Sequence, residues 1–188
     1  MRDKMFGHTN ADIIEYAIGR KPSVEMVEKY AKEKEALYRK RCLVDKVNFK
    51  LAPGAAAFLD FLKENNIPMT IATMSEWDNV EFYIKEFKLA KWFDVDKIVY
   101  SNGKIPGKPA PDIFLIAAGK IGLNPKDCVV FEDAIAGINA AKAAGIGKII
   151  AVDSIEPIEF YRDIDGLSGI ITSFDEVDKS MFEIPSVI

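Results

Sequence analysis

Residues 127–145 read DCVVFEDAIAGINAAKAAG, and this stretch decides how the rest of the chain is interpreted. Four apolar residues at 128–131 predict a short buried strand, and two carboxylates, Glu132 and Asp133, follow it directly. Apolar residues then recur at helical spacing until Gly145, which is typical of a helix end. Two acids between a strand and a helix resemble a divalent-cation site at the carboxyl edge of an α/β sheet. On this stretch alone, the simpler interpretation is that Asp133 caps the helix and Glu132 favours its dipole.

The composition is that of a globular protein, and it excludes several classes of function. The chain has 188 residues, 49% hydrophobic and 29% charged, which suits one domain or one core with a small appended piece. Its net charge of −4 argues against nucleic-acid binding, which needs clustered Lys and Arg. No apolar run is long enough for a membrane span, and no signal-peptide pattern is present. Because Cys42 and Cys128 lie far apart, we expect a reducing, cytoplasmic compartment without a disulfide framework.

The sequence pattern changes character near residue 50. Residues 10–41 have helical apolar spacing, with Ser23 as a candidate helix cap. Beyond residue 53, helices alternate with strands predicted at 68–73, 97–100, 128–131, 148–152 and 169–172. This alternation predicts a parallel sheet, and right-handed crossovers place the carboxyl ends of its strands on one edge. We therefore expect a partial helical piece at 1–50 and an α/β core at 51–188.

Further polar residues fall on the same edge of the predicted sheet. Thr73 ends a strand, and Ser75 follows at the start of a helix, where free backbone N–H groups favour a phosphate. Lys108 lies between Gly107 and Pro109, which restrict the path of the loop and so hold a cation at a defined position. Taken singly, Ser75 is as simply explained as a helix cap, and Lys108 as an exposed loop lysine.

Together these motifs resemble a known family of enzymes. IATMS at 71–75, GKPAPDIF at 107–114 and VFEDAIAGINAAKAAG at 130–145 are similar, in order, to the second, third and fourth motifs of the haloacid dehalogenase-like phosphohydrolases. The closest resemblance is to the β-phosphoglucomutase-like branch. It implies a three-layer, Rossmann-type α/β core with a parallel sheet and a small helical cap. It also implies that an aspartate attacks a small phosphorylated metabolite of the phosphosugar type while Mg²⁺ neutralises the developing charge.

The same resemblance implies roles for residues of this core. Thr73, with Met74 and Ser75, would hold the transferring phosphate. Lys108 would neutralise the phosphate and the nucleophile. Asp133 would bind Mg²⁺, with Glu132 assisting directly or through water.

In the cap, the resemblance separates hydrolysis from phosphoryl transfer. The mutase has an arginine in a cap loop that holds the second phosphate of its substrate, and Asn10 stands at that place, two residues after His8. A neutral amide cannot replace a bidentate guanidinium–phosphate pair, so hydrolysis is favoured. Lys34 does match a cap lysine of the mutase, so the departure is partial. Helix capping and a surface loop explain Asn10 and His8 equally well.

The first motif of the family, an Asp-x-Asp that follows the first strand, has no match before the cap in this sequence. Its first aspartate is the nucleophile, so the 188-residue chain is expected to be incomplete or inactive, with the first, central strand of its sheet missing. Asp163 and Asp165 have similar spacing, but no buried-strand run precedes them. We do not expect them to be catalytic.

Three interpretations stay open on the sequence. The native protein is longer and is an Mg²⁺-dependent phosphatase, or a mutase of the same branch. Alternatively, the chain is a non-catalytic module that binds phosphate or metal, or it pairs with a second chain that supplies the first strand. A monomer is expected, or self-association that completes the sheet if the chain is truly this short. Neither nucleic acid nor a membrane is an expected partner.

Overall fold

The computed structural model describes residues 10–153 and 158–182. Its α-helices there are α1 (Asn10–Ile18), α2 (Val24–Val44), α3 (Ala55–Glu64), α4 (Trp77–Glu86), α5 (Asp112–Lys120), α6 (Ile135–Ala143) and α7 (Ile158–Tyr161). Its strands are β1 (Val129–Glu132), β2 (Lys148–Val152) and β3 (Gly169–Ile171). Short 3₁₀ helices lie at Leu89–Lys91, Val95–Lys97, Pro125–Asp127, Phe174–Glu176 and Lys179–Phe182.

The three strands form one parallel sheet in the order β1-β2-β3. Val129 pairs with Lys148 at the start of β1, and Ile150 of β2 pairs with Gly169 of β3. Helix α6 connects β1 to β2, so the acids that follow β1 lie at the carboxyl edge of the sheet. The parallel α/β sheet predicted from the alternating pattern is confirmed.

Two hydrophobic layers cover the two faces of the sheet, because side chains of a strand alternate between them. Ile149 and Ala151 of β2 belong to a cluster that includes α5 and α6 residues such as Ile113 and Ile138. Ile150 and Val152 belong to a second cluster, in which Phe58 and Leu62 come from α3. Helices therefore pack on both faces, and the expected three-layer Rossmann-type fold is confirmed.

The strands predicted at 68–73 and 97–100 form only an isolated parallel bridge between Ala72 and Val99. The Val99 N–H donates to the Ile71 carbonyl at 2.8 Å, and the Thr73 N–H donates to the Val99 carbonyl at 2.9 Å. The prediction of two full strands was wrong in extent, although their extended, parallel course is present. Residues 95–97 form a 3₁₀ helix instead, which shortens the second segment.

Strand β1 is less buried than its apolar sequence predicts. All four of its residues are half-buried, whereas the last four residues of β2 are buried. Within the described part of the chain, β1 pairs with β2 along one edge and with no strand along the other. A strand with one unpaired edge keeps more of its side chains and backbone accessible than a central strand does.

The helical region rests on α4, the helix that follows residues 73–75. Asn79 of α4 is 4% exposed and accepts a hydrogen bond from Arg39 Nη1 at 2.7 Å. It also donates to Glu35 Oε2 at 2.6 Å, so both polar groups of its amide face α2. The Tyr83 hydroxyl donates to the Tyr38 hydroxyl at 2.9 Å further along the two helices. The division of the chain near residue 50 stays a prediction.

Ser23 caps α2 as predicted, because its hydroxyl accepts a hydrogen bond from the Met26 N–H at 3.2 Å.

Across residues 10–153 and 158–182, every helix is too short or too polar to cross a membrane.

The second hydrophobic layer predicts which substitution destabilises the fold. Phe58 is 3% exposed, and its ring centroid lies 5.4 Å from that of Phe131 and 5.6 Å from that of Phe174. Phe58→Ala is expected to lower the free energy of unfolding in urea by about 3–5 kcal/mol. Leu115→Ala, at a position 44% exposed, is the control and should change it by less than about 0.5 kcal/mol. Equal effects of the two substitutions would contradict a packed layer around Phe58.

Candidate functional site

The sequence singled out three segments, and the structure brings two of them into direct contact. Residues 73–75 precede α4, Lys108 lies in the loop before α5, Glu132 is the last residue of β1, and Asp133 lies between β1 and α6. Met74, from the first segment, packs against the same hydrophobic cluster as Ile138 of α6. This cluster therefore packs against both the first segment and α6, the helix that follows Asp133.

Lys108 and Glu132 form a buried ion pair. Lys108 Nζ lies 2.6 Å from Glu132 Oε2, and the two side chains are only 7% and 11% exposed. The Lys108 ammonium also lies 4.8 Å from the centroid of the Phe114 ring, at a distance where a cation is attracted to an aromatic face. The interpretation of Lys108 as an exposed loop lysine was wrong.

The electrostatics of Glu132 favour the approach of further positive charge. Burial raises the pKa of Glu132 above its usual range. The nearby Lys108 ammonium lowers this pKa, but does not bring it back to its usual range. The charge of Asp133 raises that pKa further, while a hydrogen bond from the Ala134 N–H at 3.2 Å opposes the rise. A buried carboxylate in this environment gains from a proton or a metal ion more than an exposed carboxylate does.

Asp133 is not the cap of α6. The helix begins at Ile135, its N-cap is Ala134, and no side chain makes a capping hydrogen bond there. The simpler interpretation of Asp133 as a helix cap was therefore wrong. Asp133 lies between the last residue of β1 and that N-cap, beside a carboxylate that already has a cationic partner.

Residues 73–75 form a compact turn at the start of α4. The Thr73 hydroxyl accepts a hydrogen bond from the Ser75 N–H at 3.1 Å, and the Ser75 carbonyl accepts one from the Ser101 N–H at 3.0 Å. Helix α4 begins at Trp77 with Glu76 as its N-cap, so the interpretation of Ser75 as the cap was wrong. Thr73, Met74 and Ser75 are all half-buried, so the turn lies at the edge of the core.

Of the two residues predicted at the start of the cap, Asn10 and His8, one is described. Asn10 is the first residue of α1, and its Nδ2 donates to Glu76 Oε1 at 2.8 Å. This hydrogen bond brings the start of α1 next to the turn at 73–75. His8 lies outside the described residues.

Gly137 is not among the residues predicted from the sequence, yet the site requires it for steric reasons. A β-carbon at Gly137 would overlap the carboxyl group of Glu132, so only glycine leaves room for that side chain as it stands. The available signal was a glycine in the first turn of a helix, where glycine is unfavourable unless packing demands it.

The donor atoms fit Mg²⁺ only in the company of a phosphate. No group of three or more His, Cys, Asp and Glu side chains is arranged to hold a metal among residues 10–153 and 158–182. Glu132 and Asp133 nevertheless supply two adjacent carboxylates, and Mg²⁺ is commonly held by one or two carboxylates together with water and phosphate oxygens. The set therefore fits a shared site for a phosphate and Mg²⁺ rather than a cage made by the protein alone.

Known proteins of one family resemble this chain in sequence. A family model described as haloacid dehalogenase-like hydrolase matches residues 5–145. A probable pseudouridine-5′-phosphatase of Drosophila melanogaster is 38% identical over 143 residues, which are 74% of this chain and 61% of that protein. The bifunctional riboflavin kinase/FMN phosphatase of Arabidopsis thaliana is 35% identical over 142 residues, which are 75% of this chain and 34% of that protein. The chain thus spans less than two thirds of the length of either relative.

A solved structure resembles the fold as a whole. The crystal structure of a HAD hydrolase, family IA, variant 3, from Entamoeba histolytica matches with a TM-score of 0.85 and 40% sequence identity. The match covers 95% of this chain and 78% of that one. The sheet and both helical layers described above are therefore arranged as in a hydrolase of this family.

The contact between Gly137 and Glu132 predicts an unusual effect of alanine. Glycine to alanine in a helix normally stabilises a protein by about 0.5–1 kcal/mol. We expect this gain for Gly119→Ala in α5, where nothing lies within 4 Å of the new methyl group. Gly137→Ala should instead lower the free energy of unfolding, because the methyl group displaces the Glu132 carboxyl group. Urea unfolding of the two variants checks this, and stabilisation by both would contradict the contact.

The buried ion pair predicts a stability loss that depends on pH. Because the pKa of Glu132 is raised in the folded protein, its contribution to stability falls as pH rises through that pKa. Removing the ammonium in Lys108→Met should raise this pKa further and cost about 3–5 kcal/mol of unfolding free energy at about pH 8. The loss should be smaller at about pH 5, where more of the Glu132 carboxyl group is neutral.

An exposed ion pair provides the matched control for this measurement. Lys91 Nζ lies 2.6 Å from Asp60 Oδ1, but the two side chains are 55% and 40% exposed. Lys91→Met should therefore cost less than about 1 kcal/mol at either pH. A Lys108→Met variant that loses no more stability than Lys91→Met, or loses the same amount at both pH values, would contradict the buried pair.

Proposed function

The chain belongs to the haloacid dehalogenase-like hydrolases, and we propose that it carries the phosphate- and Mg²⁺-binding part of a phosphohydrolase site. The observation that carries this proposal is the buried Lys108–Glu132 pair, 2.6 Å apart, with Asp133 next to it at the carboxyl end of β1. A fold has no structural need to place a carboxylate and an ammonium together away from water, next to a second, half-buried carboxylate. A site that binds an anion and a cation does.

Each residue has a chemical role in this proposal. The Lys108 ammonium has three N–H donors, and those not directed at Glu132 bind oxygens of the phosphoryl group. The Thr73 hydroxyl, which still has its own O–H to donate, and the Met74 N–H bind the remaining oxygens. Mg²⁺ held by Asp133 and Glu132 would neutralise charge on the transferring phosphoryl group.

We propose a small phosphate monoester as the substrate. Two relatives are by name a probable pseudouridine-5′-phosphatase and a riboflavin kinase/FMN phosphatase. Pseudouridine 5′-phosphate and FMN are both phosphate monoesters of a small metabolite. Hydrolysis rather than transfer to a second substrate position is supported by Asn10, whose amide donates to the Glu76 carboxylate at 2.8 Å. An arginine that would hold a second phosphate is not present there.

A second candidate function is binding without turnover. The resemblance to the family implies that an aspartate attacks the phosphoryl group. The residues described here hold and neutralise a phosphoryl group, while the attack needs a further carboxylate. The alternative is therefore a module that binds phosphate and metal.

Phosphate release from pseudouridine 5′-phosphate, FMN and a hexose phosphate, with and without Mg²⁺, separates these functions. A phosphatase should release phosphate only with Mg²⁺, and Asp133→Asn should lower the rate by about 100-fold or more because metal-ion stabilisation of the transition state is worth several kcal/mol. Asp163→Asn is the control, since Asp163 is exposed and lies beyond α7.

The outcomes are distinct. Binding of phosphate and Mg²⁺ without release would favour the non-catalytic module. Full Mg²⁺-dependent activity of Asp133→Asn would contradict the proposed site.

A further inference from the structure

A buried tyrosine contacts the backbone of the candidate metal site. Tyr161, the last residue of α7, is 0% exposed, and its hydroxyl donates to the Asp133 carbonyl oxygen at 2.7 Å. The two residues are 28 positions apart in sequence. The hydrogen bond therefore ties the segment after β2 to the acid-bearing segment after β1.

The position of Asp133 makes this hydrogen bond consequential. The sheet register of β1 ends at Glu132, and α6 begins at Ile135 after its N-cap Ala134. Asp133 thus lies in the short connection between strand and helix, outside both the sheet register and the helix. The same peptide unit is held on both sides, because the Ala134 N–H donates to Glu132 Oε1 at 3.2 Å while the Asp133 carbonyl accepts from Tyr161. Together these hydrogen bonds restrict the rotation of the peptide unit, and with it the direction of the carboxylate.

We propose that Tyr161 is a positioning residue whose hydroxyl orients Asp133 and thereby strengthens the binding of a divalent cation at Glu132 and Asp133. This inference rests on the metal site in the proposed function. Removing a group that hydrogen-bonds to a metal-binding residue typically lowers the affinity for the metal by about 10- to 100-fold.

The ring and the hydroxyl of Tyr161 can be separated experimentally. The ring packs in the hydrophobic cluster that contains Ile113 and Ile138. Tyr161→Phe keeps the ring and removes only the hydroxyl, so the core packing stays intact. Tyr83→Phe is the matched control, because it removes a hydroxyl that hydrogen-bonds Tyr38 at 2.9 Å in the contact between α2 and α4.

The experiment measures Mn²⁺ binding to the full chain by electron paramagnetic resonance, with Asp133→Asn as the reference for loss of the site. Tyr161→Phe is expected to bind Mn²⁺ about 10-fold more weakly than the wild-type chain. Tyr83→Phe is expected to bind it as the wild-type chain does. Urea unfolding of the same samples reports how much stability each variant has lost.

Each outcome decides between the possibilities. Wild-type affinity in Tyr161→Phe, or an equal loss of affinity in Tyr83→Phe, overturns the positioning role while leaving the metal site in place. A Tyr161→Phe chain that does not fold also overturns it, because the hydroxyl is then needed for the core itself. A wild-type chain that does not bind Mn²⁺ overturns the proposed metal site, and this inference with it.

Discussion

A lysine and a glutamate that are both nearly excluded from water are held together as an ion pair, because an unpaired buried charge is costly. Lys108 and Glu132 are 24 positions apart, and their contact joins the loop before α5 to the carboxyl end of β1. The pair is surrounded by residues that suit it, since Phe114 presents its ring to the ammonium and Gly137 leaves space for the carboxylate. If one partner is removed, the other is left as an uncompensated buried charge.

Stability alone does not explain this pair. Hydrophobic residues of similar volume often replace a buried ion pair with equal or greater stability. The proposed binding site does explain it, because Asp133 adds a second carboxylate directly after Glu132 and the Thr73 hydroxyl is expected at the same edge of the sheet. Such a set can receive a phosphate and a divalent cation together, each of which reduces the cost of binding the other.

Local patterns allowed much of the fold to be predicted, and contacts between distant segments account for the rest. The alternation of strands and helices predicted the parallel sheet, and Ser23 was identified as a cap because capping depends on neighbours in sequence. The motifs predicted that Lys108 and Glu132 lie at one edge of the sheet. They did not predict the contact between the two side chains, because this contact depends on burial and on the course of two loops. Gly137 and Tyr161 could not be predicted for the same reason. Gly137 leaves space for Glu132 and Tyr161 hydrogen-bonds Asp133, and both contacts depend on tertiary packing.

If phosphate and Mg²⁺ share the site formed by Lys108, Glu132 and Asp133, the affinity for each ion must depend on the presence of the other. Calorimetric titration of Mg²⁺ into the chain, without and then with inorganic phosphate, measures this dependence. Phosphate is expected to increase the affinity for Mg²⁺, and Mg²⁺ to increase the affinity for phosphate by the same factor, as thermodynamic linkage requires. Two affinities that do not depend on each other, or no binding of either ion, would contradict a shared site.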